Sequence, residues 1–232
     1  MIEIIAFDAD DTLWHNEFLY SRTKAKFVQL FSRYQPADHV GKMLDEIEVH
    51  NLRYYGYGIK SFGLSMVETA LKVSAGQVRG EELSQVLDFI REMLTAEVDL
   101  IDMVEESLAQ LAPDYDLMLI TKGDNFEQRR KVNRSRLASY YKYIEVVAEK
   151  NVDTYRELLG KFNIRPENFL MVGNSLRSDI LPVIALGGHA VYIPYEQIWE
   201  HERQIDQAYE PDSFYELESI TELPDLVKRI GE

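Results

Sequence analysis

Three carboxylates lie within four positions in the stretch "IIAFDADDTLW", which begins at Ile4. They belong to Asp8, Asp10 and Asp11, and they follow directly on a run of apolar residues. Like charges about 4 Å apart repel by roughly 4 kcal/mol per pair at an effective dielectric near 20. Such a cluster therefore needs either bulk water or a bound cation beside it.

The elements around this cluster predict a parallel sheet. Residues Ile2 to Phe7 are apolar apart from Glu3, as expected for a buried strand. After residue 100, strand patterns alternate with helical ones, which is typical of a Rossmann-like α/β core with helices on both faces. The further predicted strands are Leu117–Ile120, Tyr143–Val147, Phe169–Val172 and Ala190–Ile193. The stretch "GGHAVYIPYEQIWEHE" continues into a loop or short helix, and "SFYELESITELPDLVKRI" adds a last strand and a closing helix.

The segment from Glu17 to Glu97 has no comparable strand pattern and predicts several helices. In "EELSQVLDFIREML", for example, apolar residues recur at three- and four-residue steps, as on one face of a helix. The stretch "LRYYGYGIKSF", with two glycines and dense aromatics, is predicted as a loop. We therefore expect a core domain of residues 1–14 and 100–232, interrupted by an all-helical domain of residues 15–99.

Polar residues follow four of the predicted strands, at the edge where an open parallel sheet binds its ligands. They combine carboxylates, an amide, a hydroxyl, ammonium groups and a glycine turn. This is the inventory for a divalent cation and a phosphoryl group. Taken singly, the acids, Thr121 and Asn174 could be turns or helix caps, and Lys150 could be a surface residue. The residues are Asp8, Asp10, Thr121, Lys122, Gly123, Lys150, Asn174 and Asp179.

Four segments in this order resemble the four motifs of the haloacid dehalogenase superfamily: "FDADDT", "LITKG", "AEK" and "MVGNSLRSDI". The resemblance covers the whole chain, and the helical insert resembles the C1-type cap domain of the family. Among the members, the sequence is most similar to the phosphatases of the flavin and pyrimidine nucleotide type. The resemblance implies a Mg²⁺-dependent phosphatase that acts on a small-molecule phosphate monoester.

The resemblance also implies a role for each matching residue. Asp8 would be the nucleophile and form an aspartyl-phosphate, and Asp10 would act as general acid and then base. Thr121 and Lys150 would contact the phosphoryl group, with Lys122 and Gly123 completing the phosphate site. The expected Mg²⁺ ligands are Asp8, Asp10 through its carbonyl, Asn174 and Asp179.

Two residues depart from the commonest pattern of the family. Asp11 stands where glycine is frequent, and we expect it to take no part in the chemistry. Asn174 stands where many members have an aspartate that contacts the metal. Its amide oxygen can still be a ligand, but one negative charge is lost, so weaker Mg²⁺ binding is expected.

Three alternatives remain open from the sequence. A 2-haloacid dehalogenase would use the same Asp8 but needs neither an acid for the leaving halide nor a metal, so Asp10 favours phosphoryl chemistry. A phospho-accepting signalling module would carry its phosphorylated aspartate after a later strand. A catalytically idle binding protein on this scaffold is the third possibility.

Specificity residues are expected in the aromatic stretch of the insert. Tyr54, Tyr55 and Tyr57 could stack on a ring of the substrate, and Lys60 could meet a second anionic group. Alternatively, these tyrosines pack the stretch against the helices of the insert itself.

Composition limits the class of protein further. The chain has 232 residues, no cysteine, and 40 acidic against 25 basic residues, for a net charge of −15. This charge disfavours binding to nucleic acid or anionic lipid. No window approaches the roughly 18 apolar residues of a membrane span. The acidic first residues do not fit a signal peptide, so a cytoplasmic protein is expected, of undetermined oligomeric state.

Overall fold

The computed structural model describes residues 1–196, 199, 202 and 213–231. The chain divides into two compact units. The first, the α/β unit, consists of Met1–Glu17 and Val98–Glu232. The second, the helical unit, is the continuous segment Phe18–Glu97.

The α/β unit is built on one parallel sheet with the strand order β3-β2-β1-β4-β5-β6. The Rossmann-like α/β class expected from the sequence is confirmed. β1 begins at Ile4, so Ile2 and Glu3, which the sequence predicts as part of it, precede the strand. Glu3 nevertheless donates its N–H to the carbonyl of Asn168. The strands are β1 (Ile4–Phe7), β2 (Asp116–Lys122), β3 (Tyr143–Val147), β4 (Phe169–Gly173), β5 (His189–Tyr192) and β6 (Tyr215–Glu216).

Both faces of the sheet are apolar because successive side chains of a strand point to opposite sides. In β1, Ile5 and Phe7 belong to one core cluster, whereas Ile4 and Ala6 belong to the other. A strand that is buried on both faces has a continuous run of apolar residues, which is typical of parallel sheets. Helices cover both faces of the sheet.

The helices of the α/β unit are short. The predicted loop or short helix after β5 lies largely outside the described residues. The helices among the described residues are α5 (Val104–Leu111), α6 (Asn125–Ser135), α7 (Val152–Phe162), α8 (Leu181–Ile184) and α9 (Leu223–Gly231), with a π-turn at Leu176–Ile180 and 3₁₀ turns at Ala138–Tyr140, Pro166–Asn168 and Ile220–Glu222.

The helical unit contains four helices around a core of aromatic and aliphatic side chains such as Phe27 and Met66. They are α1 (Glu17–Phe31), α2 (Ala37–Tyr55), α3 (Ile59–Val73) and α4 (Gly80–Thr95). Among the described helices of the chain, none is both long and apolar enough to cross a bilayer.

The loop predicted for residues 52–62 is wrong in extent. α2 continues to Tyr55 and α3 begins at Ile59, which leaves three residues between the helices. Gly56 and Gly58, with φ of 68° and 117°, make the break, because glycine adopts these angles without steric cost. The aromatic residues beside them lie in helices because their side chains are compatible with helical backbone angles.

Gly63 of α3 provides a test of packing in the helical unit. A Cβ at this position would fall 2.4 Å from Cδ1 and 2.8 Å from Cγ1 of Ile90 on α4. We expect Gly63→Ala to lower the free energy of unfolding by about 1–3 kcal/mol through overpacking. Urea unfolding of the full chain, followed by far-UV circular dichroism, measures the change.

The matched control is Gly41→Ala in α2, where a Cβ would lie 3.7 Å from Val28, an ordinary contact. This variant should gain up to about 1 kcal/mol, because alanine is the better helix former. Equal stabilisation by both substitutions would contradict the close packing of α3 on α4.

Candidate active site

The topology brings the polar strand ends to the middle of the sheet. β1 lies between β2 and β4, and the chain reverses its direction of winding between β1 and β4. Ligands of open α/β sheets bind at this switch point, beyond the carboxyl ends of the strands. Asp8 follows β1 there, and its N–H donates to the carbonyl of Val172 in β4 at 2.9 Å.

Lys150 joins two of the predicted carboxylates. Its Nζ lies 2.5 Å from Oδ1 of Asp8 and 2.7 Å from Oδ1 of Asp179. All three residues are buried, with 4%, 8% and 1% of their surface exposed for Lys150, Asp8 and Asp179. The structure thus brings Lys150 to Asp8 across 142 positions of the sequence.

The charges of this group do not balance. One ammonium faces two carboxyl groups, so the buried group carries an excess negative charge when both are ionised. Burial raises the pKa of Asp8 to about 7; Lys150 opposes this rise and Asp179 adds to it. Although burial acts to lower the pKa of Lys150, Asp179 and Asp8 together raise it above its ordinary value. A cation would offset the excess charge.

The donor set of the site fits Mg²⁺. It offers the carboxylates of Asp8 and Asp179 and the amide oxygen of Asn174, which accepts a long hydrogen bond of 3.4 Å from Oγ1 of Thr12. Hard oxygen ligands and local negative charge are what this ion requires. Three His, Cys, Asp or Glu side chains placed to hold a metal ion together do not occur among the described residues, so the amide and a backbone carbonyl would have to complete the set.

The turn after β4 shapes this side of the site. A Cβ on Gly173 would lie 2.3 Å from Oδ2 of Asp179, so only glycine leaves room for the carboxylate. That oxygen also accepts the N–H of Ser175 at 3.0 Å. The hydroxyl of Ser175 caps the π-turn by accepting the N–H of Ser178 at 3.1 Å. Ser175 therefore performs the capping role that the sequence left open for this turn.

Asp10 is fixed by three donors. Its Oδ1 accepts the indole N–H of Trp14 at 2.7 Å, and its Oδ2 accepts Nε2 of Gln128 at 2.9 Å. Nζ of Lys131 lies 2.8 and 3.0 Å from the two oxygens. Burial acts to raise the pKa of Asp10, but Lys131 and the other two donors hold it below its ordinary value.

Asp11 has a structural role. It adopts a φ of 63°, and its carboxylate accepts the backbone N–H groups of Asn16 at 2.8 Å and of Glu17 at 3.0 Å. These contacts hold the chain at the start of α1. Burial raises the pKa of Asp11 to about 7.

The residues after β2 take different partners. Thr121 is buried, and its Oγ1 accepts Nε2 of Gln128 at 2.7 Å. It does not cap α6, because Asp124 occupies that position and accepts the N–H of Glu127. Gly123 has a φ of 144°, and its missing side chain leaves space for Gln128.

Lys122, which the resemblance implies as part of the phosphate site, lies among carboxylates and a serine hydroxyl. Its Nζ lies 2.6 Å from Oε1 of Glu202, 3.1 Å from Oγ of Ser178 and 3.4 Å from Oε1 of Glu149. The ammonium is thus paired with carboxylates. Burial acts to raise the pKa of Glu202, but Lys122 and the serine hydroxyls lower it to about 2.

The predicted specificity residues belong to the helical unit. Tyr54 and Tyr55 are exposed at the end of α2, where the guanidinium of Arg53 lies 4.7 Å from the ring centre of Tyr54. Packing into the core of the unit is therefore not their role. Tyr57 lies between the helices and Lys60 in the first turn of α3.

Sequence reasoning missed Gln128, Lys131 and Glu202. Gln128 could have been noticed on α6, because it lies four residues before the buried Val132 and therefore on the inward face of the helix. Lys131 lies three residues after Gln128, on the same side of the helix. For Glu202 the sequence carries no signal, because only the tertiary fold brings it to Lys122.

Comparison with known proteins shows the family of the chain. A haloacid dehalogenase-like hydrolase of Xanthomonas campestris is 35% identical and has a TM-score of 0.88, with 99% of this chain and 91% of that chain aligned. The glyceraldehyde 3-phosphate phosphatase of Pyrococcus furiosus is 25% identical over 98% of this chain and 92% of its own length. A 2-haloacid dehalogenase of Pseudomonas syringae shares the fold at 19% identity, with a TM-score of 0.64 and 99% of both chains aligned. Residues 2–187 match the haloacid dehalogenase-like hydrolases, and the chain belongs to this family.

Proposed function

We propose that this hydrolase cleaves a small-molecule phosphate monoester with the help of Mg²⁺, through an aspartyl-phosphate on Asp8. The observation that carries the proposal is the buried arrangement of Asp8, Lys150 and Asp179, with a second acid, Asp10, two residues after the first. The excess negative charge of this group favours the binding of a cation, and a bound cation would attract the negatively charged phosphoryl group.

The first half-reaction transfers the phosphoryl group. A carboxylate oxygen of Asp8 attacks phosphorus, the bond from phosphorus to the ester oxygen breaks, and Asp10 gives a proton to the departing alkoxide. Lys131 favours the ionised form of Asp10, whereas a negatively charged ester beside it acts in the opposite direction. The proposed mechanism therefore requires Asp10 to take up this proton when the substrate binds.

The second half-reaction regenerates the enzyme. Asp10, now a carboxylate, takes a proton from a water molecule as the water oxygen attacks phosphorus. The bond from phosphorus to Asp8 then breaks, which releases inorganic phosphate and restores the carboxylate. Thr121 donates a hydrogen bond to a phosphoryl oxygen, and Lys150 offsets negative charge beside Asp8.

The metal would be held by the side chains of Asp8, Asn174 and Asp179 and the carbonyl of Asp10. When bound, Mg²⁺ supplies positive charge at the phosphoryl oxygens. The chain itself keeps the ligand oxygens buried and oriented. For Asp179, the N–H of Ser175 and the ammonium of Lys150 hold the carboxylate in place.

The phosphatase named among the relatives supports this assignment, and Asp10 separates it from dehalogenation. Expulsion of a halide needs no proton donor, whereas expulsion of an alkoxide does.

We also propose that residues 15–99 serve as the cap domain and that Tyr54, Tyr55, Tyr57 and Lys60 contribute to substrate choice. The exposure of Tyr54 and Tyr55 supports this role.

A screen of phosphate monoesters tests the proposed reaction. We expect the wild-type protein to release phosphate from at least one ester with Mg²⁺, and to lose this activity in EDTA. Asp8→Asn should lower kcat by at least about 1,000-fold, because the nucleophile is lost. Phosphate release is measured colorimetrically.

Hydrolysis that persists in Asp8→Asn would show that Asp8 is not the nucleophile. Release of halide from 2-haloacids, without hydrolysis of any ester, would establish the dehalogenase alternative. Phosphorylation of the protein without turnover would establish the signalling alternative.

Asn174→Asp tests the proposed metal ligand. The substitution adds a negative charge to an oxygen donor, so we expect the Mg²⁺ concentration for half-maximal activity to fall on the order of 10-fold. The control is Asn133→Asp, which adds the same charge at an exposed position of α6 and should leave this concentration unchanged. An identical Mg²⁺ dependence in Asn174→Asp and wild type would exclude Asn174 from the metal site.

A further inference from the structure

Two side chains of α6, Gln128 and Lys131, reach the residues proposed to do the chemistry. They are three positions apart and therefore lie on the same face of the helix. Gln128 is buried, and Lys131 is half-buried with 17% of its side chain exposed. Neither belongs to the strand ends, yet both contact the carboxylate of Asp10.

Lys131 connects the proposed acid to the chain that follows it. Its Nζ lies 2.8 Å from Oδ1 of Asp10 and also 2.8 Å from Oδ1 of Asn16. The N–H of Asn16 in turn donates to Asp11 at 2.8 Å. One ammonium therefore fixes the Asp10 side chain relative to the turn that carries it. Because Trp14 donates to the same carboxylate oxygen at 2.7 Å, rotation of the Asp10 side chain would break several bonds at once.

Gln128 connects the proposed acid to the proposed phosphate donor. Its Nε2 lies 2.9 Å from Oδ2 of Asp10, 2.7 Å from Oγ1 of Thr121 and 3.0 Å from the carbonyl oxygen of Lys122. The Asp10 carboxylate and the Lys122 carbonyl can only accept hydrogen bonds, so the amide nitrogen must face them. Its own Oε1 is buried without a hydrogen-bond partner in the described structure. The side-chain hydrogen bonds of Gln128 in the described structure are therefore those of its nitrogen.

The contact with Thr121 also sets the direction of the hydroxyl proton. Because Oγ1 of Thr121 accepts a hydrogen bond from Gln128, its own proton is directed to a different acceptor. A phosphoryl oxygen is the acceptor proposed above. Without Gln128, the hydroxyl could donate to other nearby oxygens instead.

We propose that Gln128 and Lys131 are positioning residues: together they hold the Asp10 carboxylate and the Thr121 hydroxyl in the orientation that the reaction requires. The inference rests on the proposed phosphatase function. Neither residue is assigned a contact with the substrate; each acts through Asp10 or Thr121. Small misplacements of a reacting group are costly, about 100-fold for roughly 1 Å, so such support affects the rate directly.

Leaving-group dependence separates this role from a structural one. An alkyl phosphate requires protonation of its leaving oxygen, whereas p-nitrophenyl phosphate has a good leaving group and requires little help. We expect Lys131→Met to lower kcat/KM for an alkyl phosphate, either β-glycerophosphate or the best alkyl ester of the screen, by about 10–100-fold. For p-nitrophenyl phosphate the loss should stay below about 3-fold. Lys131→Arg, which keeps the cation, should recover most of the alkyl-ester activity.

The control on the same helix is Arg129→Met. Arg129 is exposed and its Nε donates to Oδ1 of Asn125 at 3.0 Å, so its removal should leave both esters unaffected. Equal losses on the two esters in Lys131→Met would overturn the proposal. So would an increase on the alkyl ester, because it would show that Lys131 restrains Asp10 from the substrate.

Inhibition by inorganic phosphate tests the part played by Gln128. Gln128→Met removes the donor at similar size, and we expect the inhibition constant for phosphate to rise about 3–10-fold as Thr121 loses its orientation. Lys131→Met, which does not contact Thr121, should leave this constant unchanged. An unchanged constant in Gln128→Met would overturn the assignment.

The proposed function and the positioning role of α6 are contradicted by different outcomes. If the wild-type protein hydrolyses neither class of ester, the proposed function fails and the inference with it. If the wild type hydrolyses both and Asp8→Asn hydrolyses neither, the function stands. The variants of α6 then decide the inference alone.

Discussion

The ion pairs between Lys150 and the two carboxylates of Asp8 and Asp179 are the interaction on which this structure depends. Each buried ion loses several kcal/mol of hydration, which only close partners of opposite charge and further hydrogen bonds repay. Here one cation serves two anions, and the remaining negative charge stays in the interior. A protein built for stability alone has no need of this arrangement, whereas an enzyme that binds a cation and a phosphoryl group has. The unbalanced charge is therefore best understood as a property of the site.

The fold meets this requirement through its topology. The first strand lies between β2 and β4, so residues from the start, middle and later part of the chain reach one edge. Backbone constraints then set the details: Gly173 leaves room for Asp179, and Asp11 fixes the turn after Asp10. The apolar residues of both sheet faces form the rigid support that such a site needs.

A second set of contacts, from α6, distinguishes the two acids of the site. Asp8 is paired with a buried lysine in the connection after β3, and Asp10 with a half-buried lysine on a helix. The environments differ, and the effects on the pKa differ in sign: raised for Asp8 and lowered for Asp10. Pairs of carboxyl groups that are shifted in opposite directions are typical of sites in which the two groups perform different tasks. This division agrees with a nucleophile and a proton carrier.

The sequence by itself determined the parallel sheet, the helical insert and the chemistry-bearing residues at the strand ends, because these follow from local apolar patterns and from the rule that parallel strands end at one edge. Only the tertiary structure decided which of these residues touch. It paired Lys122 with Glu202 and Glu149, extended α2 through the tyrosines, and brought Lys131 to Asp10 across 121 positions. Such contacts join distant parts of the chain through long side chains, and their partners are set by packing and charge in three dimensions, which local sequence patterns do not encode.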